Sequence, residues 1–183
     1  MHIDLIETEC KVIIPEVYSD KRGYFFESYN KEDLKYKHDI KTDFVQDNES
    51  FSRKNVLRGL HFQLPPFAQA KLVRVPYGKI LDIVVDIRAG SSTFGDYCSI
   101  ILSAKNKKQL FIPKGYAHGF VVLSEEARFC YKCDNHYNKN YERGIKWNDT
   151  DINIDWGIDP QKVIVSEKDK SLPLLKEAEL PKI

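Results

Sequence analysis

Arginine and histidine are costly to bury unpaired. Yet "VLRGLHFQLPP", residues 56–66, sets Arg58 and His61 three apart in a run of Val, Leu and Phe that stops at Pro65 and Pro66. Either the pair faces water or it faces a site. A lone histidine in a strand is more often a satisfied core residue, and its other use is as a base. His118 in "GYAHGF" lies between Gly115 and Gly119 at a strand start, where glycine lets backbone or ligand come close. Tyr131 shares a strand face with Phe129. That suits plain packing, or a phenol that moves a proton inside an apolar pocket. Lys71, Arg58 and Arg22 are either surface charges or, set around one mouth, a grip on a diphosphate. Gln46 and Asn48, in "FVQDNES" at the end of a strand, fit a solvated turn or amides that read the edge of a planar ring. Asp169 either caps a helix or accepts an imidazole N–H and raises that ring's basicity.

Two histidines in a β-protein invite a metal. Neither has a second histidine two residues away, and no nearby acid completes a ligand set, so no metal is expected. Cys130 and Cys133 have CxxC spacing but lack a second pair, and they sit in a strand-like stretch, so ordinary thiols are expected. No Ser-His-Asp spacing, Walker loop or GxGxxG is present, and "GDYCSI" is not a nucleophile elbow.

The elements that must position these residues are strands. In "ILDIVVDIR", Leu81, Ile83, Val85 and Ile87 share one face, and Asp82, Val84, Asp86 and Arg88 the other. Pro76 to Lys79 joins this run to "KLVRV" in what reads as a hairpin connection. Further strands are expected at residues 11–15, 24–29, 43–47, 97–102, 109–112, 118–123 and 128–133. "NKEDLKYKH" fits a short helix. "SEKDKSLPLLKEAEL" begins with Ser166 and Asp169 at capping-box spacing, and Pro173 limits any helix there. Strict alternation puts Arg58 and His61 on opposite faces, unless a bulge at Gly59 repairs the parity. Many short strands with regular turns mean a β-sandwich or barrel whose mouth can hold a small ligand.

The 183 residues fit a single domain, 1–183, with 42% hydrophobic residues and a formal net charge of +1. That charge gives no field for nucleic acid or an anionic membrane, so any anion must be held by local placement. No apolar run approaches the ~20 residues of a membrane span. The acids in "MHIDLIETECKV" argue against a signal peptide. Four sparse cysteines do not make a disulfide scaffold. A soluble, cytoplasmic protein is expected.

Three stretches carry a resemblance: "NVLRGLHFQLPPFAQAKLVRVPYGKILDIVVDIRAGSSTFGDY", "LFIPKGYAHGFVVLSEEARFCYK" and "GIKWNDTDINIDW". Together they are similar to the dTDP-4-dehydrorhamnose 3,5-epimerase family, from about Lys11 to Leu175. The resemblance implies an all-β, cupin-type jelly roll with short C-terminal helical segments, a homodimer, and no metal or organic cofactor. It implies a nucleotide-diphospho-4-keto-6-deoxy sugar as substrate, with His61 as base, Asp169 as its partner, Tyr131 as acid and Lys71 beside the enolate oxygen. His118 and Arg58 would line the sugar and diphosphate. Arg22, Phe25, Gln46, Asn48, Glu142 and Lys168 would contact substrate, Tyr137 would pack on the base, and Glu27 would come from the neighbouring subunit, with N-terminal strands exchanged between sheets. The chain departs from the family at Asn55 (usually Gly), Phe62 (more usually Tyr), and Asp134 and Lys139 (more often Thr and Pro). The last two lie on the side that would take the base. A GDP-linked 4-keto heptose, inversion at C3 alone, a non-catalytic sugar-nucleotide module and a metal-dependent cupin remain alternatives.

Overall fold

The computed structural model describes Met1 and residues 8–182. Its strands are β1 (Lys11–Ile13), β2 (Tyr18–Asp20), β3 (Gly23–Phe25), β4 (Gln46–Arg53), β5 (Leu57–Gln63), β6 (Lys71–Tyr77), β7 (Lys79–Asp86), β8 (Tyr97–Ser103), β9 (Gln109–Ile112), β10 (Tyr116–Val122), β11 (Glu126–Cys133) and β12 (Glu142–Gly144). Among the described residues they form two five-stranded antiparallel sheets, ordered β1-β9-β6-β11-β4 and β12-β5-β10-β7-β8, and a separate β2–β3 arm. This is the expected jelly-roll sandwich. Helices α1 (Lys31–His38) and α2 (Glu167–Lys170) are the only α-helices among the described residues. Asn30 caps α1 by accepting the Glu32 and Asp33 N–H groups, and Ser166 caps α2 by accepting that of Asp169. No helix among the described residues is long and apolar enough to cross a membrane.

The core has a layer between the sheets and a layer outside each. Val73, Ile80, Val84, Leu110, Phe120 and Phe129 meet between them. Leu60, Ile83, Val85, Val121, Ile145 and Trp156 pack beneath the C-terminal segments. Leu34 of α1 packs with Ile13, Leu72 and Phe111 on the other sheet. Both faces of β7 are therefore covered, and its Asp82 face points inward.

Pro76–Lys79 is not a hairpin connection. β6 pairs with β9 and β11, while β7 pairs with β8 and β10, so the chain steps from one sheet to the other at Gly78. Gly78 has φ +81°, and a Cβ there would lie 2.1 Å from the Glu126 carbonyl oxygen, so only glycine makes this corner. Two strand expectations also shift. Residues 26–29 lie outside any strand, and residues 44–50 begin a strand rather than end one, because β4 starts at Gln46 and pairs with β11 from Gln46↔Cys133 to Arg53↔Glu126. Its sequence, QDNESFSR, is polar because alternate positions face solvent and the site.

Candidate active site

A cavity of about 510 Å³ opens between the sheets. Arg58 and His61 both line it, and the parity conflict is resolved at Gly59. His118 on β10 lies opposite His61, and Phe120 opposite Arg58. One residue of β10, Gly119, thus faces two of β5, Gly59 and Leu60, which is the two-against-one count of a β-bulge. Gly59 has φ +130°, and a Cβ there would sit 2.5 Å from Gly119 Cα. The bulge turns His61 to the side that Arg58 already faces.

His61 Nε2 lies 2.8 Å from Asp169 Oδ1. Asp169 comes from α2, on a segment tied to β5 by backbone hydrogen bonds from Leu57 N to Ile164 O and from Ile164 N to Asn55 O, each 2.9 Å. Burial pushes the Asp169 carboxyl up. The hydrogen bond and charge of His61, with the Gly59 N–H and Ser166, outweigh this and hold it below the usual carboxylate range. Across the cavity, Tyr131 stands on β11 beside Phe129, ring centroids 5.5 Å apart. Burial is the main cause that raises its phenol. Lys71 on β6 makes no ion pair or hydrogen bond among the described residues, and burial pulls its ammonium below the usual lysine range. Arg58 is held by Ser52 Oγ at 3.0 Å and the Phe51 carbonyl oxygen at 3.3 Å.

His118 carries a second carboxylate, which the sequence reading did not single out. Its Nε2 is 3.0 Å from both oxygens of Asp82, and its ring lies over Phe129 with centroids 5.8 Å apart. The available signal was an acid on the face of β7 that also carries Ile80 and Val84. Phe120, Val165 and Ser50 also line the cavity without having been foreseen.

A continuous polar chain leads away from the cavity, which it meets at Lys168. Gln46 Nε2 donates to Asn48 Oδ1 (2.9 Å), the Tyr137 N–H donates to Gln46 Oε1 (3.0 Å), Tyr137 Oη donates to Glu142 Oε2 (2.8 Å), and Lys168 pairs with Glu142. Burial raises the Glu142 carboxyl, but Lys168 and Tyr137 prevail and hold it low. Tyr137 is 51% exposed. Gln46, Asn48, Tyr137, Glu142 and Lys168 are thereby joined.

Arg22, Phe25 and Glu27 are not brought to this cavity within one chain. Arg22 pairs with Asp20 at 2.6 Å, Phe25 is 66% exposed, and Glu27 accepts from Asn30 Nδ2. All three lie on or beside the β2–β3 arm. Among the described residues no group of three or more His, Cys, Asp or Glu could hold a metal ion.

One wall thus offers an imidazole backed by a carboxylate, and the opposite wall a phenol and an ammonium. That set can take a proton from one face of a bound molecule, stabilise the negative charge left behind, and return a proton to the other face. Residues 6–177 match the family model described as dTDP-4-dehydrorhamnose 3,5-epimerase. A dTDP-4-dehydrorhamnose 3,5-epimerase of Shigella flexneri is 50% identical over 170 residues, covering 91% of this chain and 93% of its own. The crystal structure of an enzyme of that name from Elizabethkingia anophelis is 48% identical, with TM-score 0.89 and 96% of each chain covered. A dTDP-6-deoxy-D-glucose-3,5-epimerase from Legionella pneumophila, solved in complex with dTDP-4-keto-L-rhamnose, is 44% identical with TM-score 0.92, covering 100% of this chain and 97% of its own.

Proposed function

The chain belongs to the dTDP-4-dehydrorhamnose 3,5-epimerase family, and from that premise we propose that it converts dTDP-4-dehydro-6-deoxy-D-glucose to dTDP-4-dehydro-L-rhamnose by proton transfer through an enolate. The C4 ketone acidifies the protons on C3 and C5. His61 takes the C3 proton, and the C–H electron pair moves onto the ketone oxygen, where the Lys71 ammonium stands against the developing charge. Tyr131 then delivers its phenolic proton to the opposite face of C3. His61 loses its proton to solvent, Tyr131 regains one, and the cycle repeats at C5. Asp169 keeps a proton on His61 Nε2, so that Nδ1 offers the lone pair.

The observation that carries this reading is that His61 and Tyr131 line one cavity from opposite sheets, with His61 already bonded to a buried carboxylate. A base and an acid on opposite walls produce inversion, whereas a pair on one wall would return the proton to the face it left.

Arg58 and His118 grip the sugar and diphosphate, and Tyr137, Gln46, Asn48, Glu142 and Lys168 hold the nucleotide. Arg22, Phe25 and Glu27 serve a neighbouring subunit's site in a homodimer. This is supported by their absence from the lining of the chain's own cavity and by the exposed Tyr18, Tyr24 and Phe25 of the arm. Four free cysteines suit work in the cytoplasm. The test is incubation with dTDP- and GDP-linked 4-keto-6-deoxy sugars in D₂O, followed by NMR. Deuterium at both C3 and C5 of the dTDP sugar, with inversion, is expected. No exchange with the dTDP sugar refutes the reading, and exchange only with the GDP sugar reassigns the nucleotide.

A further inference from the structure

The described residues include three buried acids on loops and strands around the sandwich, and they differ in what they hold. Asp86 binds Arg88, Ser91 and Thr93, and so ties down a turn. Asp149 accepts the N–H groups of Asp151, Ile152 and Leu175, which fixes a loop to the C-terminal segment. Asp82 is fully buried and caps no backbone. Both its oxygens address one atom, Nε2 of His118. His118 is the cross-strand partner of His61, so Asp82, His118 and His61 lie on three neighbouring strands of one sheet and Asp169 of α2 closes the row, two carboxylates flanking two imidazoles. Lys71 enters from the facing sheet and has no salt-bridge partner of its own among the described residues.

We propose that Asp82 is a positioning residue, which fixes the ring of His118 through its Nε2–H and supplies the counter-charge for the Lys71 ammonium. This assignment rests on the epimerase reading of the cavity. A desolvated lysine is prone to release its proton, and a neutral amine cannot stabilise an enolate. The groups that act on Lys71 are Cys133 on β11, Asp82 on β7 and Glu142 on β12, and the first cause of its lowering is burial. Of these, Cys133 is a thiol that burial pushes up to about 11, so it is neutral at working pH, and Glu142 is already paired with Lys168. Asp82 is the remaining anion. Burial holds its carboxyl above the usual range, and His118 and then Lys71 oppose that rise in part. His61, Asp169, Arg58, Lys168 and Tyr131 face the same space and add no further anion without a partner. Cys10 also senses Asp82, and its hydrogen bond with Cys98 and then burial push its thiol up.

The test compares wild type with Asp82→Asn, which keeps shape and a hydrogen bond and removes the charge. The expected result is a kcat lower by about 10- to 100-fold, within the range of a lost electrostatic contribution, with KM and dTDP affinity little changed. The alkaline limb of kcat/KM should move to lower pH by about one unit, as expected for loss of one nearby buried charge. An Asp82→Asn enzyme that folds, with wild-type kcat and an unmoved alkaline limb, overturns the proposal. A second measurement needs no variant: ¹⁵N NMR of the wild-type histidines. A proton on His118 Nε2 throughout the active pH range supports a charged Asp82, whereas a proton on Nδ1 alone makes Asp82 the neutral donor and overturns it. A wild type that exchanges no 4-keto sugar protons at all instead refutes the epimerase reading, and the proposal falls with it.

Discussion

Asp169→Asn tests the dyad with little disturbance, because the amide has the carboxylate's shape. Asp169 is only 4% exposed and meets His61 Nε2 at 2.8 Å. Two losses follow. A hydrogen bond to a charged group contributes about 1.5–3 kcal/mol and a neutral one about 0.5–1.5. The imidazolium formed when His61 accepts a proton thus loses about 1–1.5 kcal/mol of support, roughly tenfold in rate at 1.36 kcal/mol per decade. The second loss is larger. An amide Nδ2–H turned toward Nε2 donates to it and moves the ring proton to Nδ1, which removes the lone pair from the cavity side. In a Ser-His-Asp triad the same exchange costs about 10⁴. Deuterium incorporation at C3 and C5 should therefore fall by about 10²–10⁴, with dTDP binding by calorimetry unchanged. His61→Asn should cost about as much as the double variant, because the two residues act as a unit. A variant that exchanges close to the wild-type rate, or losses that add fully, would refute the dyad.

Four further outcomes are expected. Tyr131→Phe should keep the fold and continue solvent exchange while net inversion collapses, which NMR of the product stereochemistry will show. Lys71 has a lowered ammonium pKa and must be charged, so activity is full below that pKa and is lost as pH rises through it; Lys71→Arg should carry any residual activity to higher pH in a rate profile, because guanidinium does not titrate there. Gly59→Ala forces a side chain onto Gly119 at a backbone φ of +130°. It should cost about 1–3 kcal/mol of stability and lower kcat by misaligning His61, read by thermal unfolding and turnover. Mixing inactive His61→Asn and Glu27→Ala chains in equal amounts should restore about a quarter of wild-type activity, since half the dimers are mixed and each has one complete site; no recovery would confine Glu27 to its own chain.

The sandwich was legible because its strands carry strong period-2 patterns. "ILDIVVDIR" needed only its alternation to be placed. The strand β4 was misplaced because QDNESFSR holds one aromatic and no aliphatic residue, and its pairing with β11 is a long-range fact. The step at Gly78 was misread for a related reason: a tight turn between two apolar runs looks the same whether the strands pair with each other or with others. Arg58 and His61 were recognised as a conflict, and its resolution depended on Gly119 facing Gly59, two residues 60 positions apart in sequence. Asp82 escaped notice because alternation assigned it to a polar face, which ordinarily means solvent. Here the polar face is the interior of the sandwich. Phe25 and Glu27 were named from the family pattern alone and Arg22 also from its charge, and nothing in their spacing says that they lie away from the chain's own cavity.

The tie between the C-terminal segment and β5 has a consequence for how the protein comes into being. Every wall of the cavity except the one bearing Asp169 is complete by residue 144, where β12 ends. As the chain leaves the ribosome, the sandwich can close around His61, Lys71, His118 and Tyr131 while the carboxylate that directs His61 is still inside the exit tunnel. The nascent protein thus forms most of its cavity before Lys168 and Asp169 arrive to complete it. Activity switches on late in synthesis, when the stretch from Ile164 to Asp169 docks beside Asn55 and Leu57.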